Sequence, residues 1–192
     1  MVDPSPPTPT GYVLFTVRRA PCASVDLTAH VHALRVCLRR VMARYPFQID
    51  SGVVLPDRMH MIWGLPPGAD AGLRWRLVKT GLSRHLRRAD PARVAPRDPS
   101  RRDLGIWQPG QGARVIRTRD DLDMCRQVVW ASPVVAGLVR RTIDWPHSSI
   151  HRHASARQPR GASSAPQTLR FDLPEIRPPE APADRADQMP AG

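Results

Sequence analysis

Lysine is almost absent from this chain. Of 29 basic side chains in 192 residues, only Lys79 is not arginine. The positive charge is therefore guanidinium, which forks phosphate oxygens in pairs and stacks on bases. GC-rich coding by itself would also favour arginine over lysine. Cysteine is scarce: Cys22, Cys37 and Cys125 are an odd set without zinc-ligand spacing. That excludes a disulfide framework and a cysteine zinc finger, and it predicts reduced thiols in a cytoplasmic protein. No stretch approaches the ~20 apolar residues of a membrane span. The opening MVDPSPPTPTG lacks the basic start and apolar run of a signal peptide, so no membrane association is expected. P-loop, dinucleotide-fingerprint and Gly-x-Ser-x-Gly signatures are missing, which removes the commonest nucleotide and hydrolase readings. Tyrosine occurs twice, at Tyr12 and Tyr45.

What is present is a strong basic bias. The formal net charge is +12, and residues 161–192 hold three arginines against five acids, so the remainder carries +14. A basic domain of this kind is the electrostatic footprint for a polyanion. By length the chain is one domain with tails. Residues 1–10 are proline-rich and 154–192 are poor in large apolar side chains, so both are expected to be disordered, with a domain at 11–153 between them.

Within the domain, GYVLFTVR at 11–18 predicts a central strand, apolar at both parities. Residues 26–45 form the clearest helix, with Leu27, Val31, Leu34, Leu38, Val41 and Met42 on one stripe and Cys37 beside them. Residues 48–65 read as two strands joined by Pro56-Asp57, a turn pair. Alternation places Arg58, His60 and Ile62 on one face of the second strand and Met61, Trp63 and Leu65 on the other. A helix at 71–88 carries Arg74, Arg76, Lys79, Arg84, Arg87 and Arg88 around an apolar side. Gly81 lies in its middle, where glycine costs up to ~1 kcal/mol relative to alanine. A basic, proline-rich loop follows at 89–103. A short strand at 113–117 precedes a third helix from Thr118 or Asp120 to about Trp130, with a further helical turn at 133–137. The order predicts an α+β fold, a ferredoxin-like antiparallel sheet with helices on one face.

The run VVLPDRMHMIW at 53–63 resembles the metal-binding strand of single-tyrosine transposases of the HUH nuclease class, in particular the REP-associated tyrosine transposases. RWRLVKTGLSRHL, GIWQ, VIRTRDDL and SPVVAGLVRRTIDWPHSSIHRH match further blocks in the same order, over roughly residues 10–153. The resemblance implies a ferredoxin-like sheet, a Mg or Mn cofactor held by two histidines on a central strand, and a tyrosine nucleophile on a helix. It implies a DNA partner, single-stranded or hairpin, such as a repetitive extragenic palindrome. A homodimer is compatible with it.

The same alignment places changes at the chemical positions. Arg58 stands where the first metal histidine belongs, which leaves His60 as the candidate ligand, and a guanidinium does not coordinate metal. Val128 stands at the tyrosine, Trp130 at the following histidine and Ser132 at an asparagine. The segment after Trp107-Gln108 lacks the family's Trp-Glu-His run. The expectation is a transposase-like DNA-binding protein, weak or inactive in cleavage and strand transfer. Arg58, Arg74, Arg76, Lys79, Arg84 and Arg117 are the candidate phosphate contacts, and Trp63 and Trp75 the candidate stacking platforms. Two alternatives stay open. One is an active metal-dependent enzyme with a site rebuilt from His60 and Asp57. The other is a non-enzymatic basic module that binds RNA or protein through its tail. His147, His151 and His153 form a second candidate metal group, set against a docking turn beside the core.

Overall fold

GYVLFTVR is apolar at both parities, and the fold uses both. In the computed structural model, which describes residues 9–94, 105–108 and 112–157, it forms β1 (Gly11–Arg18). β1 lies inside a sheet of order β2-β3-β1-β4, with β2 Gln48–Val54, β3 Arg58–Leu65 and β4 Ala113–Ile116. All the ladders are antiparallel. The crossover helices are α1 (Val31–Arg44) and α2 (Ala71–Ala89). This is the expected ferredoxin-like α+β plan.

Val13, Phe15 and Val17 of β1 and Met59, Met61, Trp63 and Leu65 of β3 face α1 and α2. Trp63 is fully buried there, with ring centroids of Phe47, Phe15 and Trp75 at 4.1, 4.7 and 4.9 Å. α1 and α2 meet at Gly81. A Cβ there would stand 3.0 Å from Cys37 Sγ, so the absent side chain is what lets the helices approach.

Helices on one face describes α1 and α2, and α3 (Arg119–Val135) adds a layer on the other. Leu122, Cys125 and Val129 pack on Leu14, Val53, Leu55, Ile62 and Ile116. The second parity of β1 and β3 is too apolar to face water, so it needs this cover. Thr118 caps α3 by accepting from the Asp121 N–H at 3.1 Å. The helix passes through Pro133 rather than ending near Trp130. It stops at Gly137, whose φ of 70° suits glycine, with the Leu138 N–H donating to Pro133 O at 2.9 Å.

Residues 145–149 then run along the open edge of β2. The Val54 N–H donates to His147 O, and the Ser149 N–H to Gly52 O. The Trp145 indole donates to Val54 O at 2.9 Å. Edge strands need such cover. α4 (Ile150–Arg157) follows, so the described structure runs as helix past the expected domain end at His153. The remaining tail segments 1–8 and 158–192, most of the arginine-rich loop at 95–104, and residues 109–111 lie outside the described residues.

Candidate functional site

The face of β3 under α3 carries Arg58 and His60, as alternation requires. Its ladder with β1 sets Arg58 opposite Arg18 and His60 opposite Thr16. Thr16 Oγ1 and His60 Nδ1 are hydrogen-bonded at 3.0 Å. Burial, with the Arg58 and Arg18 guanidiniums close by, lowers the His60 pKa from 6.5 to about 4. The imidazole is therefore neutral at pH 7. Arg58 Nη1 lies 3.3 Å from Asp57 Oδ2.

α3 supplies the second half of the site. Asp121, Cys125, Val128 and Ser132 recur at steps of four, three and four, so they share one side of the helix. Arg114 of β4 ties that side down, with Nη2 on Asp121 Oδ1 at 2.5 Å and Nη1 on Cys125 Sγ at 3.5 Å. Arg114 is the ladder partner of Leu14, two residues from Thr16 on the same face. The helix that carries Val128 thus covers the face that carries Arg58 and His60.

A bulge fixes α3 to β2. Ile49 pairs with Trp63 and Ser51 with Ile62, so Asp50 is the extra residue and side-chain parity switches across it. Its carboxylate takes two bonds from Arg126, at 2.9 and 2.5 Å. Burial alone would push the Asp50 carboxyl up, but bonds from Arg126 and Ser51 outweigh it and hold the pKa below the usual range. Trp130 donates from its indole to Ser149 Oγ at 3.1 Å.

The residues present do not fit a catalytic divalent metal. Beside His60 stands a guanidinium, and Asp57 is paired with it. Among the described residues no group of three or more His, Cys, Asp or Glu side chains could hold an ion. His147, His151 and His153 do not converge. His151 Nε2 bonds to Trp145 O at 2.9 Å and His153 Nε2 to Asp50 O at 3.0 Å, while His147 packs edge-on against Trp145. They serve the docking turn. Neither tyrosine reaches the site. Tyr45 ends α1 on the opposite side of the sheet, and Tyr12 lies four ladder positions from Thr16, roughly 13 Å along the strand.

Several candidate DNA contacts change role. Arg74 is buried, with Nη1 donating to Asp70 O at 3.0 Å and its guanidinium over the Tyr45 ring. It holds α2 to α1 and is not available to phosphate. Trp63 and Trp75 are core residues, so neither is a stacking platform. Arg76 and Arg84 are exposed and Lys79 is half-buried, but α2 lies on the face opposite Arg58 and His60. Arg84 lines a groove between α2 and α1 that also includes Arg40, Arg44 and Arg88. Arg117 is exposed just beyond β4. Periodicity missed Thr16, Arg18, Arg114 and Arg126, whose parts depend on strand register. Only an assumed β1–β3 pairing could have pointed to the first two.

No protein-family model matches the chain. It is 32% identical over 143 residues to a REP-associated tyrosine transposase of Escherichia coli (strain K12), covering 74% of this chain and 78% of that one. It is also similar to a solved structure of a REP-associated tyrosine transposase bound to a REP hairpin. That match has a TM-score of 0.66 and 29% identity, and covers 91% of this chain and 98% of the other.

Proposed function

The chain belongs to the REP-associated tyrosine transposase family, and from that premise we propose that it is a DNA-binding member that recognises single-stranded or hairpin DNA and has lost cleavage and strand transfer. What supports the loss is Arg58 on the central strand, on the face under α3, the helix that has Val128 where the family resemblance implies the tyrosine. Cleavage by this family needs a metal to stabilise charge on the scissile phosphate and a hydroxyl to attack phosphorus. Arg58 repels the first, and valine has no atom for the second. Binding needs neither. It needs cationic surface, which the domain has on both sides of its sheet. The hairpin held by the solved relative supports hairpin DNA as the ligand.

The test is a nicking assay with a hairpin carrying single-stranded flanks, in Mg or Mn, with a search for a covalent protein–DNA adduct. The wild-type chain should shift the hairpin and leave it uncut. The double variant Arg58→His, Val128→Tyr should recover nicking and a covalent adduct. Cutting by the wild type would establish the rebuilt-site alternative. Equal weak retention of any polyanion, without hairpin preference, would remove the DNA reading.

A further inference from the structure

We propose that the outer face of α3 is a self-association surface, on which a second copy of this chain packs antiparallel. The helix sequence is the first ground. A surface helix keeps one stripe apolar and turns charge to water. Residues 128–139, VVWASPVVAGLV, hold one polar side chain, Ser132, and its Oγ donates to Val128 O at 2.8 Å. Apolar groups are therefore left over once Leu122 and Val129 have met the sheet. Met124, Val128, Ala131 and Val135 recur at steps of four, three and four, on the side turned away from those two. Met124 is 60% exposed and Val135 53%, with Val128 half-buried at the margin and Ala131 a buried low point between them. Of the six large apolar side chains that the described residues leave exposed, four lie between 124 and 143. The exposure is thus gathered on this helix and the turns after it, which marks a contact surface and not scatter.

What fits that face is the same face. Steps of four, three and four read alike from either end. An antiparallel pair therefore sets Met124 against the partner's Val135 and Val128 against the partner's Ala131. Each larger side chain meets a smaller one, twice, about a two-fold axis. Charge is the second ground. Asp120 stands four residues before Met124 on the same side of α3, and Arg140 and Arg141 follow the apolar run. Arg141 is engaged by Asp144. Asp120 and Arg140 are exposed and have no ion-pair partner among the described residues. Antiparallel packing brings each acidic end to the partner's basic end, whereas parallel packing would set acid on acid and base on base. In this seam Val128, where the family resemblance implies the tyrosine, is a packing residue and needs no hydroxyl. The seam does not depend on the DNA-binding reading above.

Sedimentation equilibrium of the full chain, freed of nucleic acid, tests this. The mass of 21.4 kDa should rise towards twice that value as concentration increases. Met124→Glu and Val135→Arg, made separately, each place a charge against an apolar side chain at two symmetric positions. Each should raise the dimer dissociation constant about a hundredfold. The double variant Met124→Glu, Val135→Arg should return to within about tenfold of wild type, because the two new charges are opposite in sign and meet across an antiparallel seam. Both sites are exposed, so circular dichroism and the unfolding temperature should match those of the wild-type monomer. Should either variant misfold, Asp120→Arg and Arg140→Asp, outside the apolar run, decide by the same comparison of single with double. Monomeric wild type at every concentration would overturn the dimer and leave the face to residues 158–192 or to a different protein. Self-association that both single variants keep would place the contact elsewhere on the molecule. A folded double variant that stays monomeric would overturn the antiparallel register.

Discussion

At the scale of the residue, His60 couples this site to pH. Its folded pKa of about 4 lies below the ordinary 6.5, first because it is buried and then because Arg58 and Arg18 are near. Between those values the unfolded chain binds a proton that the folded chain refuses. Stability from this group is therefore fully present above pH 6.5 and is lost as pH falls towards 4, by on the order of 3 kcal/mol. Urea unfolding at pH 7 and pH 4.5 should show the loss, and His60→Gln should flatten the difference. An unchanged acid slope in that variant would mean that the imidazole is solvated. The neutral ring follows from its surroundings, since a solvated histidine would sit near its ordinary value. Thr16 supplies one of those surroundings through a bond that no spacing in the sequence announces.

At the scale of the element, close packing reverses what propensity suggests for α2. Replacing Gly81 with alanine should stabilise a helix by roughly 1 kcal/mol. The α1–α2 crossing opposes it, because the new Cβ would meet Cys37 Sγ at 3.0 Å. We expect Gly81→Ala to gain little by urea unfolding, and to gain most of that ~1 kcal/mol when Cys37→Ala is also present. Equal gains in both backgrounds would show that the helices are not in contact there. α3 shows the same priority of packing over local signals. Pro133 argues for an early end, yet the helix continues to Val135 over a sheet face that needs its cover. The bulge at Asp50 is a third case, in which one extra residue turns a carboxylate to Arg126 and joins β2 to α3.

At the scale of the molecule, the sheet separates two cationic surfaces. Arg18 and Arg58 belong to the α3 side, whereas Arg76 and Arg84 belong to α2 on the other. With a net charge of +12, binding of any nucleic acid should weaken steeply with salt. If α2 meets phosphate, Arg76→Gln with Arg84→Gln should lower the log–log salt slope for hairpin DNA by about 2. Their free-energy loss should add to that of Arg58→Gln, because residues on opposite sides of a sheet share no partner. Titrations at several salt concentrations read both quantities. An unaltered slope would confine the DNA to the α3 side.

The sequence by itself determined the alternation of strand and helix, the apolar stripes and the turn at Pro56-Asp57. It also carried the resemblance to the family, and with it the expectation that Arg58 and Val128 stand where that resemblance implies a metal histidine and the tyrosine. These are local or ordered patterns, and each survives without knowing what packs against it. Tertiary structure alone decided that α3 covers the second face and that Arg74 and Trp75 are interior. It also decided that α2's arginines point away from Arg58, and that Arg18 stands opposite it. Those outcomes depend on which strands pair and in which register. That register is set by the whole core, where burial of both faces of β1 and β3 outweighs the preference of any single segment.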